Sequence, residues 1–409
     1  SREKRLLHIP TAPTTITTKF NYILLYKAPP TDRKEVINMK LQFQKSALLN
    51  GISIVSKAIP AKTTMSILEC ILIDADADQI KLTGNDMELG IETRVEGSIL
   101  ERGKIALDAK LFYEIIRKLP DGEAPVIITS DNKFNTTIQC ESALFNIPGR
   151  DGEEFSYLPY IERDQSITLS QFTLKEAIRQ TIFSISPNDS NKMMAGELLE
   201  VKENILKVVS LDGHRISIRN IALKESYESH KVIVPGKTLS EISKILSGDN
   251  EKEVQIFFSK NHILFEFDDT MVVSRLIDGE YFKIDHMLSS DYETRVKVNK
   301  REFMDSIDRS MILIRDSDRK PIILNVEDSN VNLKVRSTIG SMNADVSAYK
   351  AGKDIMIAFN PKFLLDALRV IDDEEVELYM MNPKSPCFIK DEEGTYIYLI
   401  LPVNFINEG

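Results

Sequence analysis

Cysteine and histidine are the residues this chain does almost without. Cys70, Cys140 and Cys387 are its three cysteines, odd in number and far apart, each in an apolar, strand-like run such as ILECILID or PCFIK. That spacing suits neither a disulfide framework, a metal cluster nor a redox pair, and it reads as buried inert thiols. The five histidines form no HExxH pair and stand beside no cysteine cluster, so a zinc-hydrolase pattern is missing and no metal is expected. Neither GxxxxGK[ST] nor GxGxxG occurs, which leaves a nucleotide-binding enzyme without its loop. No apolar run approaches the roughly 20 residues that span a bilayer. A cytoplasmic protein with no membrane partner and no cofactor is the expectation.

Positive charge is also in deficit. Lysine and arginine number 52 against 62 acids, a net charge of −10. This argues against a protein that grips nucleic acid over its whole surface, while leaving room for a basic stripe on one face. The one compact cluster resembling an active site, Asp212-Gly213-His214-Arg215, reads as a tight turn after the strand Val208-Val209-Ser210-Leu211. No catalytic residue is assigned.

What the chain does have is a three-fold repeat. ALDAKLFYEIIRKLPDGE, IVPGKTLSEISKILSGDN and IAFNPKFLLDALRVIDDEE superpose on Lys110, Lys237 and Lys362, spaced 127 and 125 residues apart. Apolar residues follow each anchor at the same offsets: Phe112, Leu239, Leu364, then Ile115, Ile242, Ala367, then Leu119, Leu246, Ile371. They fall on one face of a 3.6-residue helix. An acid (Glu114, Glu241, Asp366) and a base three residues later (Arg117, Lys244, Arg369) are neighbours on the opposite surface. Each helix is followed by a polar turn, a strand, a hairpin turn, a return strand and a closing strand. Each unit also opens on a helix: Lys45 to Ser56, Leu174 to Ser184, Arg301 to Leu313. The chain is therefore read as α+β, three similar domains of about 120 residues, each with two helices and antiparallel sheets. The boundaries drawn are 39–160, 161–288 and 289–409. Residues 1–38, rich in threonine and basic residues, are set apart as a flexible leader or upstream-start extension; a basic arm touching DNA is the alternative.

Several runs then resemble one family: MKLQFQKSALLNGISIVSKAI, LTGNDMELGIETRVEG, SLDGHRISI, VIVPGK and the ending YLILPV. Together they are similar to the bacterial sliding clamp, the beta subunit of the replicative DNA polymerase, over Met39 to Gly409. The resemblance implies a homodimer that closes head to tail into a six-domain ring around double-stranded DNA, helices inside and sheets outside. It implies a processivity factor without its own catalytic site, tethering the replicative polymerase catalytic subunit and serving the clamp loader and other replication and repair proteins. Arg117, Lys244, Arg369, Lys57, Lys175, Arg179 and Arg309 would then lie on helices facing the hole.

The family's partner-peptide pocket carries over to Met194, Leu211, Gly213, His214, Arg215, Ile216, Phe282, His286, Met287, Pro386, Leu399, Leu401, Pro402 and Val403. Phe282 stands where proline is common, His286 where arginine is common, and the residues after Pro402 run longer than usual and could shade the pocket. DNA-contacting positions carry over to Lys62, Asn188, Lys237, Arg315, Arg319 and Lys320, and the ring seam to Ile312 and Leu313. The competing expectation is a sequence-specific DNA-binding regulator, which would need a recognition helix crowded with Arg, Asn and Gln; none is visible.

Overall fold

The computed structural model describes residues 37–186, 191–288, 291–314 and 320–405. Six α-helices occur among them, two per domain: α1 (Lys45–Val55), α2 (Ala109–Lys118), α3 (Gln171–Arg179), α4 (Gly236–Ile245), α5 (Lys300–Ser310) and α6 (Pro361–Val370). Each pair packs side by side. Side-chain caps start most of them. Asp108 accepts from Leu111 N–H, Ser170 from Thr173, Asn299 from Glu302 and Asn360 from Lys362, satisfying donors that a helix start leaves open. The cap at Ser170 starts α3 three residues before the expected Leu174, because Gln171-Phe172-Thr173 carries no apolar rhythm to announce the first turn.

The repeated apolar offsets are the core. Phe112, Leu239 and Leu364 are fully buried, as are Ile242 and Leu368, with Leu119, Leu246 and Ile371 closing each helix onto its sheet. Two of the three surface pairs form: Glu114 with Arg117 at 2.6 Å and Glu241 with Lys244 at 2.8 Å. The third does not. Asp366 is drawn to Arg215 of the middle domain and Arg369 to Asp308.

Among the described residues every strand pairing is antiparallel, in sheets of five, nine and ten strands. Two of these sheets run across domain boundaries. Leu89–Val95 of the first domain pairs with Thr270–Arg275 of the second, Leu89 opposite Ser274 and Gly90 opposite Val273. Arg215–Pro235 of the second pairs with Tyr396–Ile400 of the third, Arg215 opposite Ile400 and Ile216 opposite Leu399. The same edge therefore meets the same closing strand twice. The three cysteines are buried and unpaired; burial pushes the Cys70 thiol up to about 11 and that of Cys387 to about 12.

Candidate functional site: an apolar groove between the second and third domains

The strand leading into Arg215 turns at Leu211–Arg215, and Asp212 shapes that turn. Its Oδ1 accepts the N–H groups of His214 (2.9 Å) and Arg215 (3.1 Å), while Gly213 takes φ +86°, a conformation that suits glycine. DGHR is thus a turn. Its first-domain counterpart is built alike, Asp86 Oδ1 accepting from Glu88 (3.0 Å) and Leu89 (2.7 Å).

Against this turn lies a groove of about 250 Å³ lined by Met194, Leu211, Gly213, His214, Arg215, Ile216, Phe282, Lys283, Ile284, His286, Met287, Leu399 and Leu401. Eleven of these were expected from sequence; Lys283 and Ile284 were not. Ile284, two residues beyond Phe282 in the segment joining the domains, is buried against Leu211, Ile216 and Leu399 in one apolar cluster. The alternation Phe282, Ile284, His286 could have signalled it. Pro386, Pro402 and Val403 do not line the groove. The last strand ends at Ile400, and Val403 donates its N–H to the Ala358 carbonyl (2.8 Å), which carries the chain away. Asn404 and Phe405 lie in a different groove, so the chain as far as Phe405 does not shade this one.

Arg215 touches the groove, yet its guanidinium turns inward. Nε reaches Asp212 Oδ2 (3.1 Å), Nη1 reaches Asp366 Oδ2 (2.7 Å), and Nη2 donates to the Phe183 carbonyl (2.7 Å). The Phe363 ring lies 4.4 Å from its carbon. It is a tie between domains that also forms the groove's wall.

The repeat explains why this boundary is open and the previous one is not. Ile216, opposite Leu399, corresponds to Gly90, opposite Val273. A Cβ on Gly90 would stand 2.1 Å from Leu158, so Leu158 of the first interdomain segment lies directly on the strand and packs by Val273. At Ile216 a side chain stands where Gly90 has none; Ile284 packs against it, and a cleft remains beside Phe282, His286 and Met287.

The basic residues proposed for the hole are mostly engaged. Arg117, Lys244, Arg369 and Arg179 are ion-paired, Lys175 donates to the Leu246 carbonyl and Arg309 to Ser306. Lys57 has no ion pair among the described residues and shares a cleft of about 320 Å³ between α1 and α2 with Lys110, Ser53, Ser56 and Tyr113. Lys110, used only as the repeat's anchor, is a candidate the sequence reading missed. Lys62 is exposed. Lys237 is exposed but lies 2.5 Å from Asp86 Oδ2, tying the first two domains. Lys320 sits apart, just before the third-domain strand Ile322–Glu327. Asn188, Arg315 and Arg319 lie outside the described residues. Ile312 is 78% exposed, and Leu313 lies beside Gly340, 3.3 Å from the place of its absent Cβ.

Family models agree with this architecture in order along the chain: the DNA polymerase III beta subunit N-terminal domain at residues 39–159, the central domain at 168–283 and the C-terminal domain at 286–404. The chain belongs to the bacterial beta sliding clamps. A beta sliding clamp of Staphylococcus epidermidis is 33% identical over 376 residues, 89% of this chain and 99% of the relative. The crystal structure of a putative DNA polymerase III beta subunit from Eubacterium rectale is 65% identical, with TM-score 0.87, covering 90% of this chain and 100% of that one. The DNA polymerase sliding clamp of Bacillus subtilis is 32% identical with the same TM-score and coverage. The protein is a sliding clamp of DNA polymerase III, a processivity factor, and the reading as a sequence-specific regulator is not supported. A sliding clamp is not itself a catalyst. No helix among the described residues is long and apolar enough to cross a membrane.

Proposed function

We propose that two copies of this chain close head to tail into a six-domain ring around duplex DNA, and that the apolar groove holds short linear peptides of the proteins the ring tethers. One observation carries the ring. A two-residue turn leads into the edge strand of each domain, shaped by Asp86 and Asp212 in the first two and by Ser337 in the third, and two of the three edges are paired with the closing strand of the next domain. The third is vacant among the described residues: Gly340–Ser347 pairs only with Asn330–Ser337, and the closing strand of the first domain, Ala143–Pro148, pairs only with Asn135–Cys140. Leu144 and Phe145 are exposed on it. An unpaired strand edge with apolar residues is a template for another chain, and a repeated head-to-tail contact whose rotation closes makes a ring. Carrying the register of the two paired boundaries onto the third places Gly340 opposite the partner's Ile147 and Ser341 opposite the partner's Asn146. Ile312 and Leu313 flank that seam.

Duplex DNA in such a ring meets the helices, and its hold is weak, independent of sequence and salt-sensitive. The groove suits a peptide with leucine and aromatic anchors. Its partners would be the replicative polymerase catalytic subunit, the clamp loader and other replication and repair proteins, in the cytoplasm. The test is a cysteine pair, Asn146→Cys with Ser341→Cys. Under mild oxidation it should give a covalent dimer, and with both seams closed a species that stays on circular DNA in denaturant. Failure of this pair to cross-link, with the protein a monomer at micromolar concentration, would overturn the ring.

A further inference from the structure

We infer that a peptide held in the apolar groove continues past Lys283 into a second groove, where Lys231 and Lys283 bind a carboxylate on its flank; this rests on the reading of the apolar groove as a peptide site. The second groove measures about 510 Å³ and lies between the middle domain's sheet and the segment that follows Arg275. Leu199 and Val234 point into the helix-covered core, so Leu198 and Ile233 face the other way and form its floor with Tyr281. Lys231, Lys260 and Lys283 supply its cations, Asp278 and Glu280 its carboxylates. Lys283 lines both grooves. Tyr281 and Ile284, on either side of it, are buried in one apolar cluster with Leu211 and Leu399. The two grooves therefore meet at Lys283.

The repeat shows how this groove came to be open. Asp151-Gly152-Glu153 and Asp278-Gly279-Glu280 begin the two interdomain segments. Phe155 and Tyr281 then bury their rings at corresponding places, in clusters with Leu72 and Leu198. In the first segment Lys104 Nζ donates to Glu153 Oε1 and to the Tyr157 hydroxyl, each at 3.0 Å, and lies 3.1 Å from Asp76. That lysine pins the segment to the sheet. Lys231 stands at the place of Lys104, and Lys283, two residues after the buried ring, at the place of Tyr157. An ammonium thus replaces the phenol, so two cations share a place where the first domain holds one cation among oxygen atoms. Among the described residues Lys231 keeps only Glu200, at 3.8 Å, and Lys283 and Glu280 have no ion pair. A carboxylate from outside supplies the acceptor that the first domain carries in Glu153 and Tyr157. Along the segment Asp278 and Glu280 precede Tyr281 and Lys283 follows it, so the cationic end is the one that joins the apolar groove. The apolar groove has the same sign: His214, Arg215, Lys283 and His286 line it, and no carboxylate is among its described lining residues.

The test uses a fluorescein-labelled peptide with leucine and phenylalanine anchors, extended at either end by three glutamates or three serines, titrated with the full chain and followed by anisotropy. At one end the glutamate flank should tighten binding about fivefold over serine. That gain should shrink when salt is raised from about 50 to about 200 mM. Lys231→Glu, which gives Lys283 a carboxylate of its own, should abolish the gain and leave the serine-flanked peptide bound as before. Lys283→Gln should abolish it too, read as the ratio of the two flanks. Met194→Ala should weaken both peptides by the same factor and keep the ratio. Equal affinities for the two flanks at both ends, or a gain that survives Lys231→Glu, would overturn the proposal and leave the apolar groove standing. No binding of the serine-flanked peptide would overturn the reading of the apolar groove, and this proposal with it.

Discussion

Arg215 of the middle domain and Asp366 of the third meet across the domain boundary, Nη1 to Oδ2 at 2.7 Å, with Arg215 only 8% exposed. The pairing takes Asp366 from the helix neighbour its sequence position would give it. Removing one partner of a buried pair leaves the other charge short of compensation. Asp366→Ala should therefore destabilise the chain by about 3 kcal/mol and loosen the peptide groove, since Arg215 forms part of its wall. Thermal unfolding and peptide titration read the two effects. Unchanged melting would show that Asp212 and the Phe183 carbonyl satisfy the guanidinium by themselves.

At the proposed seam, Ile312→Asp with Leu313→Asp should convert the dimer to monomer at micromolar concentration, because the substitutions place unpaired carboxylates in a contact between apolar surfaces. Sedimentation measures it. A dimer of undiminished strength would place the seam elsewhere.

In the apolar groove, Met194→Asp should lower the affinity for a leucine- and phenylalanine-bearing peptide at least tenfold, about 1.4 kcal/mol, with dimer and DNA binding retained. Recruitment of polymerase at full affinity by this variant would exclude the groove as the docking surface.

For DNA, Lys57→Ala with Lys110→Ala should weaken binding to short duplex more than Arg117→Ala with Lys244→Ala, whose bases are already paired with Glu114 and Glu241. The salt dependence should become shallower by about one unit of slope per lost phosphate contact. Equal losses from the two double variants would contradict this ranking.

Glu197 is wholly buried beneath the domain boundary, at the strand position where the first and third domains have Ile71 and Ile322. Thr181 Oγ1 donates to its Oε2 at 3.2 Å and Oε1 has no partner among the described residues. Burial pushes its carboxyl from the ordinary 4.5 up to about 8. Between those values the folded state keeps a proton that the unfolded chain has released, so stability falls as pH rises through the window and levels off above it. The span is about 5 kcal/mol. Glu197→Gln should flatten the profile between pH 5 and pH 8 in denaturant titrations, and an unaltered slope would assign the pH dependence to another group.

Much of this was decided by the sequence itself. The offsets from Lys110, Lys237 and Lys362 named the buried faces of α2, α4 and α6, because a helix repeats its faces locally and each domain solves the same packing problem. The antiparallel hairpins after them followed from turns and alternation within a few residues. The groove was legible too, through resemblance, in Met194, the DGHR turn and Leu399. What the chain could not announce were relations between distant elements. Whether Asp366 pairs with Arg369 or with Arg215 depends on a strand more than a hundred residues away. Whether Lys237 is free or held by Asp86, and whether Val403 continues along the groove or bonds to Ala358, depend likewise on contacts across a boundary. Gly90 lies under Leu158, Ile216 beside an open cleft and Ser341 on a strand edge left unpaired among the described residues. Only the tertiary structure brings those three equivalent places into comparison, because their surroundings come from domains that sequence order keeps apart.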